Sequence, residues 1–181
     1  MKITTVTSVS DNTGMTDFRT GFSDELKSRG HKHTDFDLNQ MDIRSCAGCW
    51  DCWVKTPGKC VIRDDMEQVL KGIIRSDMTV FIAKPVLGYV NGTMKMAMDR
   101  TIPLVHPYIK LVQNECHHRK RYHKYPLFGL ILEDSGELEP EDRDIIEHLF
   151  RRYTLNLKSE LKMFRDTSNT IMEVVDEINS I

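Results

Sequence analysis

Four cysteines stand close together, spaced Cys46-x2-Cys49-x2-Cys52-x7-Cys60. Thiolates three residues apart in a compact loop can converge on one face of an iron–sulfur cubane, with the fourth ligand arriving a few residues later. Cys60 precedes Val61, not proline, and the chain has no second cysteine run, so Cys60 would have to complete the same site. Three occupancies fit these residue types: a [4Fe–4S] cluster, a tetrahedral zinc ion, or thiols without metal, either inert or able to form a redox-active disulfide. Zinc is disfavoured, because structural zinc sites ordinarily draw on two separated cysteine pairs. Both tryptophans, Trp50 and Trp53, fall inside the segment and could shield a cluster from water, which tunes its potential. The fifth cysteine, Cys116, lies outside the run, and with His117, His118 and His123 it fits no established metal spacing.

Three loops carry residues suited to a bound anion or flat ring. Ser8, Ser10, Asn12 and Thr13 follow a β-branched stretch and precede a helix. Their hydroxyls and amides could wrap a phosphate, since orphan N–H groups and the helix dipole both favour an anion. An ordinary strand-to-helix turn capped by Asn12 or Thr13 fits them equally. Pro85, Val86, Leu87, Gly88, Tyr89, Asn91 and Gly92 end an apolar run, and a backbone with two glycines can lie against a planar ring; a plain surface loop is the alternative. Ser135 and Gly136 follow a second apolar run. No acid–base dyad or nucleophile–base pair stands out, so no catalytic residue is assigned, and electron transfer requires none. The basic run His118-Arg119-Lys120-Arg121 lacks any stacking motif and reads as a solvated or subunit-contacting loop. Met94, Met96 and Met98 read as core or as the apolar side of a ligand.

The elements that must position these residues alternate between strands and helices. Met1 to Ser8 is β-branched; Phe18, Phe22 and Leu26 recur on one helical face that stops at Gly30; 31–38 is a second strand. Met66, Val69, Leu70, Ile73 and Ile74 make a helical stripe, with Asp64 and Glu67 at capping-box spacing. MTVFIAKP (78–85) and PLFGLILE (126–133) read as strands buried on both faces. Helices follow at 93–101 and 141–152, then a last strand at 161–165 and a terminal helix at 170–181. This rhythm predicts an α/β fold, a doubly wound five-stranded parallel sheet of order 2-1-3-4-5 with helices on both faces. In such a sheet ligands bind beyond the carboxyl ends of the strands, where all three loops fall. The chain reads as one domain, 1–181, with a cysteine-rich loop at 45–63 and a basic insertion at 103–125.

With 25 Lys and Arg against 27 Asp and Glu, the formal charge is −2, and nothing calls for nucleic acid or an anionic membrane. No stretch approaches the ~20 apolar residues of a membrane span, and the N-terminus reads as a strand, not a signal peptide. The expected compartment is the cytoplasm, where thiols stay reduced and clustered cysteines point to metal binding or redox catalysis.

The order of these motifs resembles a known family. Ser8-x-Ser10-x-Asn12-Thr13 resembles the phosphate loop of flavodoxins. Pro85 to Tyr89, with Lys95 and Asp99-Arg100, is similar to the flavin-ring segment of NADPH-dependent FMN reductases. Within that flavodoxin-like family, Cys46-x2-Cys49-x2-Cys52-x7-Cys60 followed by Asp64-Asp65 resembles the iron–sulfur flavoproteins, over roughly residues 1–135. The resemblance implies FMN, a [4Fe–4S] cluster and NAD(P)H as a donor. It further implies a homodimer or homotetramer, and electron exchange with a redox partner protein or small-molecule acceptor. Two departures are a shorter phosphate loop carrying Asp11 and the basic 103–125 stretch. The alternatives are a cluster-free NAD(P)H-dependent FMN or quinone reductase, and a binding protein of the same fold without flavin.

Overall fold

Val6, the run Val80 to Ala83 and the run Leu130 to Leu132 are almost wholly shielded from solvent in a computed structural model of the chain, which describes residues 1–112, 114–134, 136 and 138–181. In chain order, β1 (Lys2–Ser8) leads to α1 (Thr13–Ser28), β2 (Lys32–Asp37), a one-turn α2 (Asp51–Val54) and α3 (Met66–Arg75). Then come β3 (Met78–Ala83), a small hairpin of β4 (Pro85–Val86) and β5 (Tyr89–Val90), and α4 (Gly92–Asp99). A longer hairpin of β6 (Val105–Val112) and β7 (Glu115–Lys120) precedes β8 (Leu127–Leu132), α5 (Pro140–Asn156), β9 (Leu161–Asp166) and α6 (Ile171–Ser180).

The main sheet runs β2-β1-β3-β8-β9, every pair parallel, as the alternation of elements predicts. Parallel neighbours need crossovers, and the helices that supply them bury both faces, which is why β3 is apolar along its length. Phe22 and Leu26 of α1 meet Val174, Val175 and Ile178 of α6 on one face. Val69 and Ile73 of α3, Met94 and Ala97 of α4, and Ile146 and Phe150 of α5 cover the other.

Two expectations change. Residues 103–125, read from the sequence as a basic insertion without assigned strands, contain the β6–β7 hairpin, whose strands expose Tyr108, Ile109 and Leu111. The capping box predicted at Asp64 and Glu67 does not form. The residue at the helix N-cap is Asp65, without a side-chain cap bond, and Glu67 pairs with Lys71 and Lys59. A capping box forms instead at α6, between Thr170 and Glu173.

Ser8, Ala83 and Leu132 lie in register across the sheet, so the loops after β1, β3 and β8 share one rim. Asn91 ties two of them together. Its Oδ1 accepts from the Met94 amide at 3.1 Å, capping α4, and from the buried Ser8 hydroxyl at 2.8 Å. Its Nδ2 donates to the Ser8 carbonyl at 2.5 Å. Asn91→Ala removes a helix cap and strands a buried hydroxyl, so an unfolding titration should show a loss of about 2–3 kcal/mol.

Candidate functional site

The cysteine segment is a loop with a closed neck. The Asp42 amide donates to Asp65 Oδ2 and the Asp65 amide to the Asp42 carbonyl, each at 2.9 Å. The Arg44 amide donates to Asp64 Oδ2 at 3.0 Å. Arg100, just past α4, locks this neck: its guanidinium donates to both Asp64 oxygens, at 2.7 and 3.0 Å, and to the Arg44 carbonyl at 2.6 Å. Both partners are buried, Arg100 to 2% exposure. The forked geometry of a guanidinium on a carboxylate is what makes such a dehydrated pair tolerable.

Within the loop, Gly58 stands at φ +85°, and a Cβ there would approach the Arg121 side chain at 3.3 Å, so glycine suits both the turn and the close packing. Trp53 pins the loop to the foot of the long hairpin: its indole N–H lies 3.1 Å from the Ile102 carbonyl and 3.0 Å from that of Val105. Its ring meets Trp50 and His118, each centroid 5.0 Å away. Trp50 stays 53% exposed and adopts the left-handed conformation, φ +60°.

Cys52 and Cys60 are half-buried, whereas Cys46, Cys49 and the outlying Cys116 are exposed. Burial pushes the Cys52 thiol above its ordinary value, and the nearby Cys60, Cys46 and Cys49 thiols add to the shift. Cys52 is thus the thiol that the other three bear upon. As placed, no three His, Cys, Asp or Glu side chains among the described residues close on a single metal ion; a cubane, broader than one ion, holds its thiolates further apart. Cys46 lines a cleft of about 460 Å³ with Trp50, Trp53, Met98, His118 and Tyr153. Cys60 lines another of about 380 Å³ with Gly58, Ile62, Leu70 and Tyr122.

The rim at the strand ends is the second part of the site. The Ser8 hydroxyl is committed to Asn91. The Ser10 amide donates to a carboxylate oxygen of Glu133 at 2.9 Å, and Glu133 is itself buried. Asn12 caps α1 by accepting from the Met15 amide at 2.9 Å, while Asp11, Thr13 and Gly14 are exposed at the helix's positive end. At the tip of the small hairpin Leu87 (φ +50°) and Gly88 (φ +72°) are both left-handed, the signature of a type I′ turn. Asn-Gly is the usual pair there, and a leucine costs roughly 1–2 kcal/mol. Leu87 is fully exposed and Val86 partly so. Tyr89 turns inward, its ring 6.1 Å from Phe150, and Asn91 and Gly92 open α4. Gly136 is left-handed beside the rim at φ +71°, and Ser135 lies outside the described residues.

The structure thus gathers the four cysteines into one loop and the three predicted loops onto one rim. It moves Arg100 from the ring-binding segment, where its sequence neighbours pointed, to the neck of the cysteine loop. Glu133 and the Arg100–Asp64 pair were not singled out from the sequence. Their partners lie 123 and 36 residues away, and no local pattern marks such pairs.

No family model matches the chain. Over 84 residues, 45% of its length, the chain is 37% identical to an iron–sulfur flavoprotein of Archaeoglobus fulgidus, covering 36% of that protein. Over 67 residues it is 36% identical to an iron–sulfur flavoprotein of Methanocaldococcus jannaschii, covering 34% of it. The matched stretch therefore spans about a third of these curated relatives. Among solved structures, an NAD(P)H:quinone oxidoreductase from Methanothermobacter marburgensis superposes with a TM-score of 0.62 at 14% identity, over 99% of this chain and 95% of that one. An FMN-dependent NADH-azoreductase from Bacillus anthracis, in complex with FMN, gives 0.61 at 11% identity, over 99% and 95%. At such identities the likeness establishes a flavodoxin-like fold.

Asp64→Asn leaves a buried guanidinium without its counter-charge and should destabilise the chain by about 3–5 kcal/mol at neutral pH. Burial pushes the Asp64 carboxyl up, but hydrogen bonds from Arg100 and the Arg44 amide, with the Arg100 charge, outweigh it and hold the group below its ordinary value. A carboxyl depressed in the folded state contributes fully above its unfolded value, about 4, and loses that contribution as pH falls through the lower folded value. Denaturation of both proteins across pH should show a constant gap from about pH 8 to about pH 5 that closes only in stronger acid.

Proposed function

We propose that this chain is an FMN-dependent electron-transfer oxidoreductase that also holds a [4Fe–4S] cluster on Cys46, Cys49, Cys52 and Cys60. The observation that carries the reading is the gathering of four thiols on one pinned loop. The partial identity to iron–sulfur flavoproteins supports the cluster, and the likeness to an FMN-bound reductase supports the flavin. When bound, FMN would supply one- and two-electron redox chemistry and the cluster one-electron exchange.

The chain's own residues would bind and shield these groups. Asn12 and Thr13, exposed at the start of α1, with Ser10, whose amide Glu133 now holds, would bind the phosphate. Ser8 would act through Asn91, shaping the rim. Pro85 to Gly92 would lie along the ring, with Leu87 and Val86 offering exposed apolar contact, and Gly136 would border it. Glu133 and Asp11 work against a phosphate by charge, so they would set an upper limit on flavin affinity. The small α2 would hold Cys52 half-buried, and Trp53 would limit water on one side of the thiols.

The chain would act as one domain, with NAD(P)H as donor and a protein or small molecule as acceptor. The apolar residues exposed on the long hairpin favour a homodimer or homotetramer. Among the described residues no helix is long and apolar enough to cross a membrane.

Two measurements test the reading. Chain purified without oxygen should carry about four iron and four sulfide, with a flavin spectrum, and Cys52→Ser should lose the iron but keep the flavin. Flavin without iron would mean a cluster-free reductase, and neither group would refute the proposal. Glu133→Gln keeps the acceptor for the Ser10 amide while removing its charge. Flavin fluorescence titration should show FMN bound roughly three- to tenfold more tightly.

A further inference from the structure

Arg100 has more donors than the neck of the loop uses. Its Nη1 and Nη2 are taken by Asp64 and the Arg44 carbonyl. Its Nε–H has no hydrogen-bond partner among the described residues, although the side chain is 1% exposed. An unanswered donor in so dry a place ordinarily costs about 1–3 kcal/mol, so a partner is expected. Burial lowers the Arg100 guanidinium, but Asp64 and, beside it, the Cys60 thiol outweigh burial and hold it above its ordinary value. This sets Cys60 next to the side chain, although no Nε–H···S bond is formed.

We propose that Arg100 is a positioning residue whose spare N–H is kept for the sulfur of Cys60 in its metal-bound form, so that one side chain closes the loop and tunes the potential of the group it carries. The inference rests on the cluster reading above. A neutral thiol is a weak acceptor, whereas a metal-bound thiolate carries negative charge and accepts a charge-assisted bond. A donor aimed at a ligand sulfur favours the reduced, more negative form of a cluster. The guanidinium does this from a rigid seat, because Asp64 fixes both of its terminal nitrogens. Among the four candidates Cys60 is the one that bears on this guanidinium, whereas Cys46 and Cys49 are exposed.

The test compares the anaerobically purified holoprotein with Arg100→Lys, which keeps the charge and a bond to Asp64 but loses the planar fork. The variant should retain iron, while reduction of its cluster becomes roughly tenfold less favourable. That is a midpoint about 59 mV more negative for a one-electron couple, with the FMN midpoint unmoved as an internal reference. Asp64→Asn, which weakens the neck but keeps the N–H, should shift the cluster midpoint by much less. A cluster midpoint unchanged in Arg100→Lys, or shifted equally in Asp64→Asn, would overturn the inference while leaving the cluster reading intact. Wild-type chain without iron would overturn that reading itself. Should Arg100→Lys fail to fold, pulsed electron paramagnetic resonance of reduced wild type labelled with 15N-arginine decides. A weakly coupled 15N supports the assignment, and its absence refutes it.

Discussion

A guanidinium and a carboxylate, both withdrawn from water, hold the loop that gives this molecule its chemical interest. Desolvating two charges is expensive, and their mutual attraction repays it only when geometry is good and the remaining hydrogen-bonding positions are filled. Asp64 meets that condition by accepting from Arg100 twice and from the Arg44 and Met66 amides. The consequence reaches beyond one ion pair. Arg44 and Asp64 bracket the cysteine segment in sequence, so a single clamp sets where the segment leaves the fold and where it returns. Trp53, reaching the Ile102 and Val105 carbonyls, adds a second point of attachment and fixes the loop's orientation against the long hairpin.

Helix α4 joins the two halves of the candidate site. Asn91 caps its first turn and binds the end of β1, while Arg100 follows its last turn and binds the cysteine loop. Eight helical residues span about 12 Å, so rim and loop are set apart by a short rigid strut. Tyr89 and Met98 pack along that strut, the tyrosine hydroxyl 3.9 Å from the methionine sulfur. A displacement at either end of α4 would be felt at the other, because close-packed interiors transmit strain.

The sheet was legible in the sequence because its signals are local. A continuous apolar run such as 78–83 can only be a doubly covered strand or buried helix, and its β-branched and aromatic content decides for strand. The cysteines were legible because their spacing is itself the motif. The clamp was not, since a pair separated by 36 residues has no period or turn signature. Asp64 shows the cost of local reading: with Glu67 it has the spacing of a cap, yet a charged partner from another element captured it. The long hairpin escaped for a different reason. Its strands face solvent on both sides around Tyr108 to Leu111, so the alternation that marks a half-buried strand is missing. At Leu87 the usual turn chemistry is broken, as is common where a surface has a use beyond stability.

The fastenings of the cysteine loop are made of protein alone: a guanidinium, a carboxylate, backbone amides and an indole N–H. None of them is a thiol. The fold of the loop therefore does not depend on a metal, and on the proposed reading a cluster would enter a loop already fastened, unlike small zinc domains that fold only around their ion. The same independence governs damage. On the proposed reading, oxidation that stripped a bound cluster would leave the sheet, the rim and α4 standing, and the same chain could be refilled without being remade.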